Sequence, residues 1–235
     1  MLFRSGLQHQ DGHSHLLAST IPNCISYDPA YAFELAVIIQ DGMRRMFEAG
    51  ENCFYYITTM NENYVHPDMP EGVEEGIVRG LYQLRSAKVS GGPVVQLMGA
   101  GAILREVEAA AELLEKDYGV AATVWSLTSV NELAREGNDV VRWNRLHPAA
   151  EPQTPYLTQQ LSQAQGPFIA ATEVSTNPDS FSVSVWIATC TSSSSATSRH
   201  VSIACGVVPQ SSCSLRPTAP ARTCSRSGRC RLALP

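Results

Sequence analysis

Val94-Val95-Gln96-Leu97-Met98-Gly99-Ala100-Gly101 decides how this chain is read. A run of buried-strand character enters a glycine turn, and the turn opens an amphipathic helix over 102–118. Leu104, Val107, Ala111 and Leu114 share one face of that helix, and Gly119 stops it, since glycine enters the left-handed conformation without steric cost. The next strand is 120–127. Strand, helix and strand at this spacing predict a right-handed crossover and a mainly parallel sheet. The glycine turn also raises a phosphate-binding reading, because such a turn can present backbone N–H groups at a helix N-terminus. Two parts of the dinucleotide fingerprint are missing: its third glycine would fall at Leu104, and Thr123 with apolar neighbours stands where an acid is needed. A tight structural turn accounts for Gly99 and Gly101 better.

Working outward, Ser129 and Glu132 form a capping box for a helix over 130–135, followed by a helix over 154–165 and a strand over 167–171. Upstream, residues 73–84 read as a short helix running into an edge strand, and 61–72, with Pro67, Pro70 and Gly72, as an inter-domain linker. Before the linker lies another strand–helix–strand unit. Cys24-Ile25-Ser26-Tyr27 is a short buried strand, Asp28 caps a helix with Pro29 at its first position, and the helix runs to about Phe47. Its apolar residues wrap most of the cylinder, so it is buried on several sides. Glu34 interrupts them; a partly exposed edge position explains it better than a functional carboxylate. Residues 53–59 complete the unit as a β-rich strand.

The 235 residues hold enough apolar content, 44%, for a core. A formal charge of −5 leaves no basic footprint, which excludes a nucleic-acid binder. No apolar run is long enough to span a bilayer and the N-terminus lacks a signal-peptide pattern, so no membrane role is expected and the body reads as cytoplasmic. From Thr172 the character changes: six arginines face only Glu173 and Asp179, and Cys190, Cys205, Cys213, Cys224 and Cys230 lie at spacings without a Cys-x-x-Cys pair. Zinc is therefore not expected there, and a disulfide framework would need an oxidising compartment.

The chemistry-bearing stretch is Gly6-Leu7-Gln8-His9-Gln10-Asp11-Gly12-His13-Ser14-His15, with three of the chain's six histidines around an Asp-Gly turn. Imidazole gains and loses its proton near neutral pH, so this loop is a candidate site, although loop histidines are more often polar surface. A metal is not expected: Asp11-Gly12 breaks the helix that would align His9 with His13, and only a convergence of the three histidines with Asp11 would restore one.

That stretch, with Ile21-Pro22-Asn23-Cys24-Ile25-Ser26-Tyr27-Asp28-Pro29-Ala30-Tyr31, resembles the homodimeric bacterial pyruvate dehydrogenases, the thiamine-diphosphate-dependent, decarboxylating first component of the pyruvate dehydrogenase complex. Tyr55-Tyr56-Ile57-Thr58-Thr59-Met60-Asn61-Glu62-Asn63-Tyr64, Met69-Pro70-Glu71-Gly72 and Arg142-Trp143-Asn144-Arg145-Leu146-His147-Pro148 carry the resemblance on, and it ends near Ala171. It implies a C-terminal piece of a longer, transketolase-like α/β enzyme. Residues 1–66 would be the end of the pyrimidine-binding (middle) domain, 67–93 a linker, and 94–171 most of the C-terminal parallel-sheet domain. Residues 172–235 would be a disordered, aberrant tail, read as an out-of-frame translation or else a natural extension. The family's catalytic histidine maps to His9, and His15 matches a histidine after a similar Asp-Gly turn in the related transketolases. Gln8 and His13 would contact substrate. Ser5 stands where the family has a glutamate, which removes one acidic group from that pocket.

The resemblance implies acetyl transfer from pyruvate to a lipoyl group of the dihydrolipoyl acetyltransferase component, with thiamine diphosphate and Mg2+ in the complete enzyme and a homodimeric assembly. This chain is not expected to hold that cofactor alone: it has no Gly-Asp-Gly segment, and the family's ring-activating glutamate lies upstream of the His-rich loop. The alternatives are a non-catalytic remnant keeping only a dimerisation surface, and a small nucleotide-binding α/β protein.

Overall fold

The computed structural model describes residues 13–60 and 63–172, and beyond them the backbone of four short strands within 184–231. Apart from those strands, the disordered tail expected from residue 172 onward lies outside the described residues.

A short helix, α1 (Ser14–Ser19), leads into β1 (Cys24–Tyr27), whose four residues are all buried. Helix α2 (Ala32–Met43) continues into a π-helical turn at Arg44–Glu48, and β2 (Phe54–Ile57) then pairs with β1 in parallel, Cys24 opposite Phe54 and Tyr27 opposite Ile57. Helix α2 starts later than the Asp-Pro signature predicts. Tyr31 is its N-cap, and the Glu34 carboxyl reaches back to the N–H groups of Ala30 (2.6 Å) and Tyr31 (3.0 Å). Asp28 does not cap it.

Helix α3 (Glu74–Arg79) ends at Gly80, whose φ of 102° is open to glycine; a side chain there would meet the Ser129 carbonyl. It runs into β3 (Leu81–Arg85), an edge strand antiparallel to β5. The centre of the second sheet is β5 (Ala121–Leu127), β4 (Val94–Gly99) and β6 (Phe168–Thr172), all parallel. The crossover from β4 to β5 is α4 (Ile103–Tyr118), closed by Gly119 at φ 63°. Beyond β6 the order continues antiparallel through β7 (Ser184–Ala188) and β8 (Ala204–Gly206), so the parallel expectation holds for the core of the sheet and not for its margins. The strands β9 (Thr223–Cys224) and β10 (Cys230–Arg231) form a separate antiparallel pair.

Alternation along β4 and β5 separates two cores. Val95, Leu97, Ala122 and Val124 face Leu104, Val107 and Ala111 of α4. Met98, Trp125 and Leu127 face the other way, toward Leu133 of α5 (Val130–Leu146) and Tyr156 and Leu161 of α6 (Tyr156–Leu161). Helix α5 runs well past Arg135 and α6 is shorter than the sequence suggests. A third cluster, Ile25, Tyr27, Ile38, Ile77 and Tyr82, joins β1 and α2 to α3 and β3.

Glu34 binds the two units together. It is fully buried, not at an edge: besides the two N–H groups, it accepts hydrogen bonds from Tyr82 Oη and Ser126 Oγ, both at 2.6 Å. Four donors on one carboxyl satisfy it in a dry seam. Burial and the neighbouring Glu34 push the Tyr82 hydroxyl strongly up, keeping it a donor.

Candidate active site

The two sheets meet at the carboxyl ends of their parallel strands, the end where open α/β sheets bind ligands. Asp28 follows β1, Thr58 follows β2, Ala100-Gly101 follows β4, and Thr128-Ser129 follows β5. Backbone hydrogen bonds join them across the seam: Asp28 N–H to the Thr128 carbonyl (2.8 Å), and Gly101 N–H to the Asp28 carbonyl (3.1 Å).

His15 is brought to this place. It is buried, on α1, with Nε2 2.8 Å from Thr58 Oγ1 and its ring edge-on to Tyr56. Thr58 Oγ1 in turn donates to Asp28 Oδ1 at 2.7 Å. The first turn of α5 holds the backbone underneath. Asn131 Nδ2 donates to the His15 carbonyl (2.7 Å) and to Ser26 Oγ (2.6 Å), while Ser129 Oγ donates to the Ser26 carbonyl and accepts the Glu132 N–H as the helix cap. Farther along α5, Arg135 reaches the Cys24 carbonyl at 3.1 Å. Burial raises the Cys24 thiol, and burial raises Glu132 against the opposing pull of Arg135. Cys24 is therefore a packed thiol and not a nucleophile.

The other sequence-derived candidates divide. His13 takes the N-cap position of α1 without a side-chain capping bond and is half-buried. Gln8 and His9 lie outside the described residues, as does Asp11, so the convergence of three histidines has no geometry to report. Among the described residues no three His, Cys, Asp or Glu side chains come together as metal ligands.

Asp28 is the residue sequence reasoning misassigned, and Thr58, Asn131 and Gly101 are the ones it missed. The signal was positional: each of Asp28, Thr58 and Gly101 stands just past the carboxyl end of a strand. Gly101 has φ +51°, and a Cβ on it would fall 2.5 Å from Asp28 Oδ2. An acidic side chain against the turn opposes an anion there, in line with the incomplete fingerprint.

Residues 1–67 match the family model of the pyruvate dehydrogenase E1 component middle domain, and residues 80–198 that of the transketolase-like TK C-terminal domain, reaching beyond Ala171. The pyruvate dehydrogenase E1 component of Pseudomonas aeruginosa is 59% identical over 168 residues, covering 72% of this chain and 19% of its own length. That of Escherichia coli K12 is 58% identical over 169 residues, and that of Cupriavidus necator 55% over 169, each with the same coverage. The chain thus spans 19% of the length of these curated relatives. Among the described residues no helix is long and apolar enough to cross a membrane.

Proposed function

The chain belongs to the transketolase-like TK C-terminal domain family, and on that premise we propose that it supplies one wall of the active site of an acetyl-transferring pyruvate dehydrogenase. The observation that carries the reading is the identity of 59% over 168 residues to a pyruvate dehydrogenase E1 component, together with the match of residues 1–67 to the middle-domain model. In this reading His9 and His15 handle protons at the oxygen atoms of the substrate-derived group, and Gln8 and His13 orient it. An imidazole suits that task because it can accept a proton or donate to a developing negative oxygen at neutral pH. Thiamine diphosphate with Mg2+, held by residues other than the described ones, is the group that would stabilise the charge left when carbon dioxide departs. The partner is the dihydrolipoyl acetyltransferase component, whose lipoyl domain receives the acetyl unit, the assembly is a homodimer, and the compartment is the cytoplasm.

The test is made in the complete enzyme. His9→Ala is expected to lower acetyl transfer to lipoamide by about 10²–10⁴-fold, the ordinary contribution of a positioned acid–base group. Unchanged transfer in both His9→Ala and His15→Gln enzymes would end the proposal. Calorimetry with thiamine diphosphate and Mg2+ on the isolated chain is expected to show no binding; measurable affinity would move the clamp into this polypeptide.

A further inference from the structure

We propose that residues 63–70 form a histidine-locked strap on the start of α2, closed while the His66 ring is neutral and released when the ring takes a second proton. The proposal stands apart from the proposed activity and uses none of its catalytic roles.

The strap follows β2 and enters no helix or strand. It grips the turn after Asp28-Pro29 at two points. The Tyr64 hydroxyl donates to the Ala30 carbonyl, and His66 Nδ1 accepts the Ala32 N–H at 3.1 Å. Val65, between them, is 91% exposed, so the hold comes from its two neighbours and not from packing beneath it. The Tyr64 and His66 rings lie against each other at 4.6 Å, and His66 stands edge-on to Tyr31 at 6.0 Å. Arg105 of α4 lies over the Tyr64 ring, and the Tyr31 hydroxyl donates to Glu108 of the same helix. The strap thereby joins the start of α2 to the second unit.

One bond fixes the state of the ring. A backbone N–H can only donate, so Nδ1 meets Ala32 with its lone pair, and the neutral ring carries its hydrogen on Nε2. Ala32 is the first residue of α2, where N–H groups have no partner within the helix. Glu34 serves Ala30 and Tyr31, and the imidazole serves Ala32. A second proton has only Nδ1 to go to. It takes up the lone pair, sets two N–H groups against each other, and puts a positive charge at the positive end of the helix dipole. The bond to Ala32 then breaks, and the turn 30–32 loses one of its two holds.

The charged groups around the ring come from three elements. They are Glu34 at the same helix end, Glu108 behind Tyr31, Arg105 over Tyr64, and Asp68 two positions along the strap. They bear on where the ring titrates, not on what titration does to Nδ1. Burial and Glu108 keep the Tyr31 hydroxyl well above the usual phenol range, so it stays a donor throughout.

The experiment is 1H–15N spectroscopy of the full chain across the titration of the His66 ring, read at the ring nitrogens and at the Ala32 amide. His66→Ala identifies the ring signals. While the ring is neutral, its hydrogen is expected on Nε2. The Ala32 N–H is then expected to exchange about tenfold more slowly than in His66→Ala, the scale of one hydrogen bond. Once the ring is charged, that difference is expected to disappear. His66→Asn offers an oxygen acceptor that does not titrate, and is expected to keep Ala32 protected at both ends. A neutral wild-type ring with its hydrogen on Nδ1 overturns the proposal, even if no variant folds. So does wild-type protection that survives charging of the ring. A His66→Asn chain that loses protection over the same pH range overturns it too, since another group would then be the gate.

Discussion

Two carboxylates of the first unit cross to the second, and they are treated in opposite ways. Glu34, inside α2, is surrounded by four donors and sealed from water. Asp28, at the mouth of β1, accepts from the Thr58 hydroxyl, which also meets an imidazole, and it rests on a glycine. The first arrangement leaves no acceptor capacity for anything else and ties α2 to β3 and β5. The second passes orientation along a short chain to a side chain that can exchange protons. One strand–helix step in the sequence places both, so the seam between the units is at once the strongest polar anchorage of the first unit and the frame of the candidate site.

The largest expected effect comes from breaking the sealed half. Glu34→Ala would leave two N–H groups and two hydroxyls buried without their acceptor, and is expected to cost about 3–5 kcal/mol, the range for uncompensated buried polar partners. Urea unfolding of the full chain measures it; a loss under about 1 kcal/mol would mean the seam is not closed as described. Gly101→Ala strikes the open half and is expected to cost about 2–3 kcal/mol, combining a left-handed backbone with a methyl group driven into Asp28. A neutral Gly101→Ala would show that the carboxylate moves aside freely.

Acid sharpens the contrast from outside. Burial works against the charge of Glu115, yet the Lys88 N–H and Arg85 outweigh it and hold the carboxyl below its ordinary range. A carboxyl depressed in the fold gives stability that is complete above its unfolded value near 4.5 and is lost as pH falls through the folded value. The difference in unfolding free energy between the chain and Glu115→Gln, of order 1 kcal/mol at pH 7, is expected to vanish by about pH 3. A difference that persists at pH 3 would place the effect in packing instead of charge.

The sequence displays the frame of the fold well and the seam poorly, for a physical reason. Periodicity shows what a residue does within its own element, which is why β1, β4, α4 and its Gly119 stop, β5 and the Ser129 cap of α5 are legible. Asp28 before Pro29 carries a local capping signature, and only the fold reveals that Thr58 and Gly101 claim it instead. Glu34 looks like an edge residue because its two hydroxyl donors, Tyr82 and Ser126, come from strands far along the chain. Helix α5 runs past Arg135 because nothing near that residue stops a helix whose Leu133 and Val140 both find cover in the fold. For the site, His15 was legible as a histidine after an Asp-Gly turn; the hydroxyl and carboxylate behind it were not.

The distances along the chain that separate these partners have a kinetic consequence. Asn131 reaches back 116 positions to His15, Ser129 reaches back 103 to Ser26, and Ser126 reaches back 92 to Glu34. Closing loops of that length is entropically expensive and slow compared with local helix formation. During synthesis the β1–β2 pair is made before the end of β5 and the first turn of α5, which supply its hydrogen bonds to the second unit. The His15 carbonyl acquires Asn131 only at that closing moment, whereas Thr58 and Tyr56, which flank the His15 ring, belong to the first unit and are made earlier.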